Sequence, residues 1–178
     1  MATYRRRLPA TSSTVPARTL LTCGAVLIAA SAWLILERRP GPAGLAAALA
    51  GAAGITGGRF AEWNADGLAK LFDPLLDRTF DGVVLGAIAW VEHAARPSVA
   101  AGALIALGAG YLSSYVRARG ASLGYDVQES TVTRGIRYAL VAAGLAFGWL
   151  GWAVWAVAVL AVLAALIRTM QVAKEELS

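Results

Sequence analysis

At 178 residues the chain is long enough for one domain; 58% of it is hydrophobic, only 15% is charged, and its mean hydropathy is +0.60. A soluble domain carries about 25% charged residues, so water is excluded as the solvent for most of this surface and a polytopic membrane protein is implied. The net charge of +5 does not indicate nucleic acid, because the arginines collect between apolar segments rather than along one polar face.

Residues 1–19 form a polar N-terminal segment with Arg5, Arg6, Arg7 and Arg18, expected on the cytoplasmic side. The first apolar run, Leu20–Leu36, leads into Glu37-Arg38-Arg39-Pro40 rather than a small-residue cleavage site. It is therefore expected to stay as a membrane helix and not to act as a signal peptide. Cys23 is the lone cysteine, so no disulfide can form within the chain.

Five further spans follow: Ala43–Gly58, Phe72–Val91, Val99–Tyr115, Tyr138–Leu150 and Trp152–Ile167. A bilayer core takes about 20 residues, fewer where the ends are shielded by protein, and the fifth span is short. Gly148, Gly151 and the tryptophans at 149, 152 and 155 predict a tight interfacial turn between the last two. The second and fourth spans are rich in small residues, which lets helix backbones approach closely in lipid, within the chain or at a dimer face.

The expected fold is all-α, with six transmembrane helices over residues 20–170, both termini cytoplasmic and a short tail over 171–178. Basic residues set this sidedness. Thirteen fall on or near the inner side, and only Arg38, Arg39 and Arg96 fall outside. His93 is read as a solvated outer loop end with no chemistry.

Within the third span, Asp73, Asp77 and Asp81 are spaced four apart. Each step turns a helix by about 40°, so the three form one slanting stripe. Pro74 is expected in the first helical turn with Asp73 near the cap, and Arg78 off the stripe, towards a neighbouring helix or a headgroup. A carboxylate in lipid costs a few kcal/mol, which makes the stripe a candidate site. Oxygen ligands of this kind suit a hard divalent cation. The alternative is that the aspartates pair with Arg78, Lys70 or the loop arginines and bind no metal.

A cationic group is expected at the same level. Arg117 and Arg119 precede an inner loop, Arg134 and Arg137 follow it, and Arg168 ends the last span. Orientation alone places arginines on this side, but five at one level suit bidentate recognition of phosphate.

At these residues the sequence resembles the CDP-alcohol phosphatidyltransferase family, nearest to its bacterial phosphatidylinositol phosphate synthases. The stretch "AKLFDPLLDRTFDG" is similar to the second half of the family signature D-x2-D-G-x2-A-R…G-x3-D-x3-D, with Ala69 in the glycine position. "SYVRARGASLG", "TRGIRYAL" and "LIRTMQVA" resemble later stretches of the synthases, so the likeness spans about Thr19 to Val172.

The resemblance implies a membrane enzyme of phospholipid biosynthesis that moves a phosphatidyl group from CDP-diacylglycerol to an alcohol, with an inositol phosphate as one candidate, and releases CMP. It implies Mg²⁺ or Mn²⁺ at Asp73 and Asp77, with Asp77 as the general base and Asp81 lining the site. Arg59 would serve the nucleotide, and Arg117, Arg119, Arg134, Arg137 and Arg168 the acceptor phosphate. A homodimer, or a dimer with a homologue, in the cell membrane is implied too, with the site facing the cytoplasm.

The first half of the signature departs from the pattern: Gly51 and Gly54 stand where the first two metal-binding aspartates are expected. Glycine offers no side-chain oxygen, and losing part of such a clamp costs a hundredfold or more in rate. Glu62 and Asp66 are the carboxylates that could replace them. Three functions therefore follow: an active phosphotransferase; a catalytically impaired relative that acts as a partner or as a lipid- or nucleotide-binding subunit; and a small transporter using the aspartates as a cation site.

Overall fold

The computed structural model describes residues 15–125 and 131–176, so Arg5, Arg6 and Arg7 and the end of the C-terminal tail lie outside the described residues. Helices account for the architecture: α1 (Val15–Leu36), α2 (Pro40–Trp63), α3 (Gly67–Phe80), α4 (Gly86–Glu92), α5 (Pro97–Ser122), α6 (Thr131–Phe147) and α7 (Leu150–Glu176). A π-helical turn, Asp81–Leu85, joins α3 to α4 in one continuous rod. No strand occurs among the described residues.

Local chemistry sets the helix ends. Pro40 and Pro97 open α2 and α5, where a missing N–H costs nothing. Helices α1, α2 and α5 end alike: the second residue past the helix turns left-handed and two backbone bonds close over the last turn. Those residues are Arg38 (φ 58°), Ala65 (φ 51°) and Gly124 (φ 92°). Glycine is the usual choice there, so Arg38 and Ala65 carry some strain. Gly148 (φ 77°) separates α6 from α7, at the turn the sequence predicts.

The helices pack as a ring in which α1 lies on α2, α2 on α6, α6 on α7, α7 on α5, and α5 on the π turn and α4, which return to α1. Phe80, Ile28, Leu85, Ile88, Val141, Val154 and Val157 fill the centre. The small-residue face of α2, from Ala43 to Ala61, is buried inside this ring, so its close packing is within the chain. At Gly44 an added Cβ would stand 2.6 Å from the Ala142 carbonyl oxygen, so α2 and α6 touch backbone to backbone.

Pro16–Leu36, Pro97–Ser122 and Leu150–Lys174 are long and apolar enough to cross a membrane. Only 33–39% of their most apolar windows is buried in the protein, so much of the apolar surface faces outward. A membrane is the solvent that suits this surface.

Three expectations need correction. Pro74 is not in a first helical turn, because Asp66 caps α3 and the helix starts at Gly67. Pro74 therefore sits mid-helix and cannot donate to the carbonyl of Lys70. The fifth span does not start at Tyr138: α6 begins at Thr131 and carries Arg134 and Arg137 in its first two turns. Arg78 does not leave the acidic stripe, as described below.

Candidate functional site

Helix α3 presents its three aspartates to α6. The α-helical spacing holds as far as Asp81, where the π turn begins, so Asp73, Asp77 and Asp81 keep one stripe. On α6, Arg137 and Tyr138 lie three and four residues after Arg134, so each shares a face with it. Two complementary stripes meet.

Their pairing is close. Arg134 Nη1 donates to Asp73 Oδ1 and Oδ2 at 2.8 and 2.9 Å. Arg137 bridges two carboxylates: Nη2 donates to both Asp77 oxygens at 2.9 Å, and Nη1 to Asp81 Oδ2 at 2.9 Å. Tyr138 donates its hydroxyl to Asp77 Oδ1 at 2.9 Å. Arg78 turns back onto its own helix, paired with Asp77 and, at 3.0 Å, with Asp81. Near the π turn the Arg78 carbonyl accepts the Tyr111 hydroxyl at 3.2 Å.

Asp77, Asp81, Arg134 and Arg137 are all buried. Three carboxylates face three guanidiniums, and the formal charge cancels. Buried charge is tolerable only when paired in this way.

Does this donor set fit divalent ions? It does not. Both Asp77 oxygens and the Asp81 Oδ2 already accept from arginine or tyrosine. A divalent ion would have to displace guanidiniums that are held in place. Of the two positions where further aspartates are expected, Gly51 is closed and Gly54 is not. A Cβ at Gly51 would stand 2.9 Å from the Tyr138 ring, and one at Gly58 would stand 2.7 Å from Asp73 Oδ1. Gly54 is roomier, its nearest neighbour being Leu76 at 3.5 Å. Tyr138 occupies the space beside Gly51, fixed there by the Asp77 bond and an edge-to-face contact with Phe80 at 4.2 Å.

The two candidate replacements go different ways. Asp66 accepts from the Leu68 and Ala69 amides as the α3 cap and pairs with Arg18 at 2.8 Å. The hydrogen bond from Arg18 holds its carboxyl below the ordinary carboxylate range. Glu62 shares a cavity wall with Asp73. Among the described residues no three His, Cys, Asp or Glu side chains are grouped to hold a metal ion.

Two cavities flank the network. The larger, about 590 Å³, has Arg59, Lys70, Arg117 and Arg134 in its wall, opposed by Glu62 and Asp73. The smaller, about 30 Å³, is lined by Arg78, Arg134, Arg137 and Arg168 with Ser113 and Thr133. Arg168 reaches it from α7 and donates to Ser113 Oγ at 2.8 Å. Arg134 belongs to both walls. Of the five arginines expected around a phosphate, Arg119 lines neither cavity.

Tyr138 and Ser113 were not among the sequence candidates. Tyr138 had a signal, since it lies four residues after Arg134 and so on the same helix face. Ser113 had none. No family model, curated protein or solved structure matches the chain.

Proposed function

We propose that this chain is a six-span membrane protein resembling the CDP-alcohol phosphatidyltransferases that binds a phosphate-bearing ligand of phospholipid synthesis and is impaired in transfer chemistry. In this reading both termini and the Asp–Arg end of the bundle face the cytoplasm, in keeping with the bias of basic residues. One observation carries the proposal: the carboxylates that would hold metal are neutralised by Arg78, Arg134 and Arg137.

The binding half of the reading rests on the larger cavity. Its volume lies in the range of small-molecule sites. Four cations against two anions leave its wall net positive, which suits a phosphate or diphosphate group. CDP-diacylglycerol is the leading candidate, with its acyl chains in the bilayer.

A second reading is an active transferase with Mg²⁺ or Mn²⁺. Its support is that Glu62 and Asp73 share the cavity wall and bring two carboxylates to one opening.

Purified protein, CDP-diacylglycerol, Mn²⁺ and a panel of alcohols separate the two. The impaired reading expects no CMP release above an Asp77→Asn control, together with CDP-diacylglycerol binding that persists without a divalent ion. Arg117→Ala should then weaken binding about tenfold, as loss of a charged hydrogen-bond donor does. CMP release well above the control establishes the second reading. No binding of the lipid nucleotide removes the first.

A further inference from the structure

The opposite end of the bundle holds a separate cavity of about 230 Å³. Its floor is apolar, formed by Ile35, Ile88, Val91, Leu145 and Leu150, and Arg38, Glu92 and Arg96 stand in its wall. Arg96 clasps the buried Glu92 through Nε and Nη2, at 2.5 and 2.6 Å. That pair is neutral, so Arg38 leaves the wall with one net positive charge.

A second observation fixes the setting of this cavity. Trp33, Trp90, Trp149 and Trp152 all lie at this end, and each is exposed. Exposed tryptophans gather at the headgroup level of a membrane, where one side of the ring is apolar and the other wet. The cavity therefore opens at the depth where headgroup gives way to acyl chain. An apolar floor beneath a cationic rim matches an amphiphile with an anionic head.

From this geometry we infer that the cavity is a binding site for an anionic phospholipid of the leaflet at this end, its phosphate at Arg38 and its first chain carbons on the apolar floor. The site is independent of the Asp–Arg centre and of the transferase reading. Glu92 matters to its selectivity. It neutralises Arg96, so one uncompensated cation remains, enough to prefer a net-negative lipid over a zwitterionic one.

The backbone supplies a clean variant. Arg38 occupies a left-handed position that glycine adopts without strain. Arg38→Gly therefore removes the guanidinium while relieving the turn. Arg39→Ala removes an adjacent charge that is not part of the cavity wall.

Full-length protein would be presented with equal phosphatidylglycerol and phosphatidylcholine, and retained lipid counted by native mass spectrometry. Wild type should retain phosphatidylglycerol about fivefold over phosphatidylcholine, the discrimination of one basic group at an anionic surface. Arg38→Gly should bring the ratio near one without lowering the melting temperature, and Arg39→Ala should keep it. If the glycine alters the turn, Arg38→Gln keeps a long side chain and tests the same charge. Equal retention of the two lipids by wild type overturns the site, as does an unchanged ratio in both Arg38 variants. Equal loss in Arg39→Ala also overturns it, since the preference would then belong to diffuse surface charge.

Discussion

The two ends of the bundle handle charge in opposite ways. At one end, Asp73, Asp77 and Asp81 are bound by arginines 56 to 61 residues away in the chain, in a buried network that ties α3 to α6. At the other, Glu92 is held by Arg96 four residues on, in a local clasp whose arginine is half exposed. The first arrangement fixes the register of two helices and leaves the aspartates no net charge to offer a cation. The second fixes one turn and leaves Arg38 available to a ligand. Similar residue types thus tie two distant helices together at one end and a single turn at the other.

The contrast breaks most readily at Arg137. Arg137→Ala would take a guanidinium from two buried carboxylates and leave Arg78 to serve both, and losing one partner of a buried pair costs about 3–5 kcal/mol. Thermal unfolding in detergent should register that loss, whereas Arg96→Ala should cost about 1 kcal/mol or less because its guanidinium is half in solvent. Equal effects at the two ends would erase the distinction. A double variant, Arg137→Gln with Asp77→Asn, should recover part of the stability, since it restores the charge balance of the network.

Much of this arrangement can be read from spacing alone. The four-residue repeat of aspartates is a helical face written in sequence, and Gly148 marks the last turn, but the apolar pattern starts only at Tyr138 and leaves Arg134 and Arg137 outside the helix that carries them. The α3 start was harder to read. Asp66 caps the helix through contacts with Leu68, Ala69 and Arg18, and Arg18 lies 48 residues away. Nor does spacing reveal which partner an aspartate takes. A metal ion and a guanidinium both satisfy its oxygens, and only the position of Tyr138 against Gly51 favours the second.

A finer test concerns the glycines of α2. Gly51→Ala drives a methyl into the Tyr138 ring that is anchored to Asp77, and overpacking of this kind costs about 1–3 kcal/mol. Gly54→Ala meets only Leu76 at ordinary contact distance and should be neutral or slightly stabilising, as helix propensity favours Ala. If both substitutions behave alike, Tyr138 does not fill the position beside Gly51, and the metal-free reading loses its steric support.

The smallest expected effect lies at the α2–α3 turn, where Arg18 and Asp66 pair at the same end as the network. The hydrogen bond from Arg18 lowers the carboxyl of Asp66 below its ordinary value of 3.8. The unfolded chain therefore binds this proton at a higher pH than the folded one does. Asp66 contributes stability that is complete above its unfolded value and is lost as pH falls through the lower folded value. Arg18→Gln should flatten that part of the acid limb by lowering stability slightly near neutrality and leaving it unchanged at the acid end, where the carboxyl is neutral; the loss is small because the half-exposed arginine gains little from an ion pair in water. Urea unfolding between about pH 5 and pH 2 would follow it. An acid limb identical in the two proteins would assign the whole pH response to other carboxylates and leave Asp66 with its capping role alone.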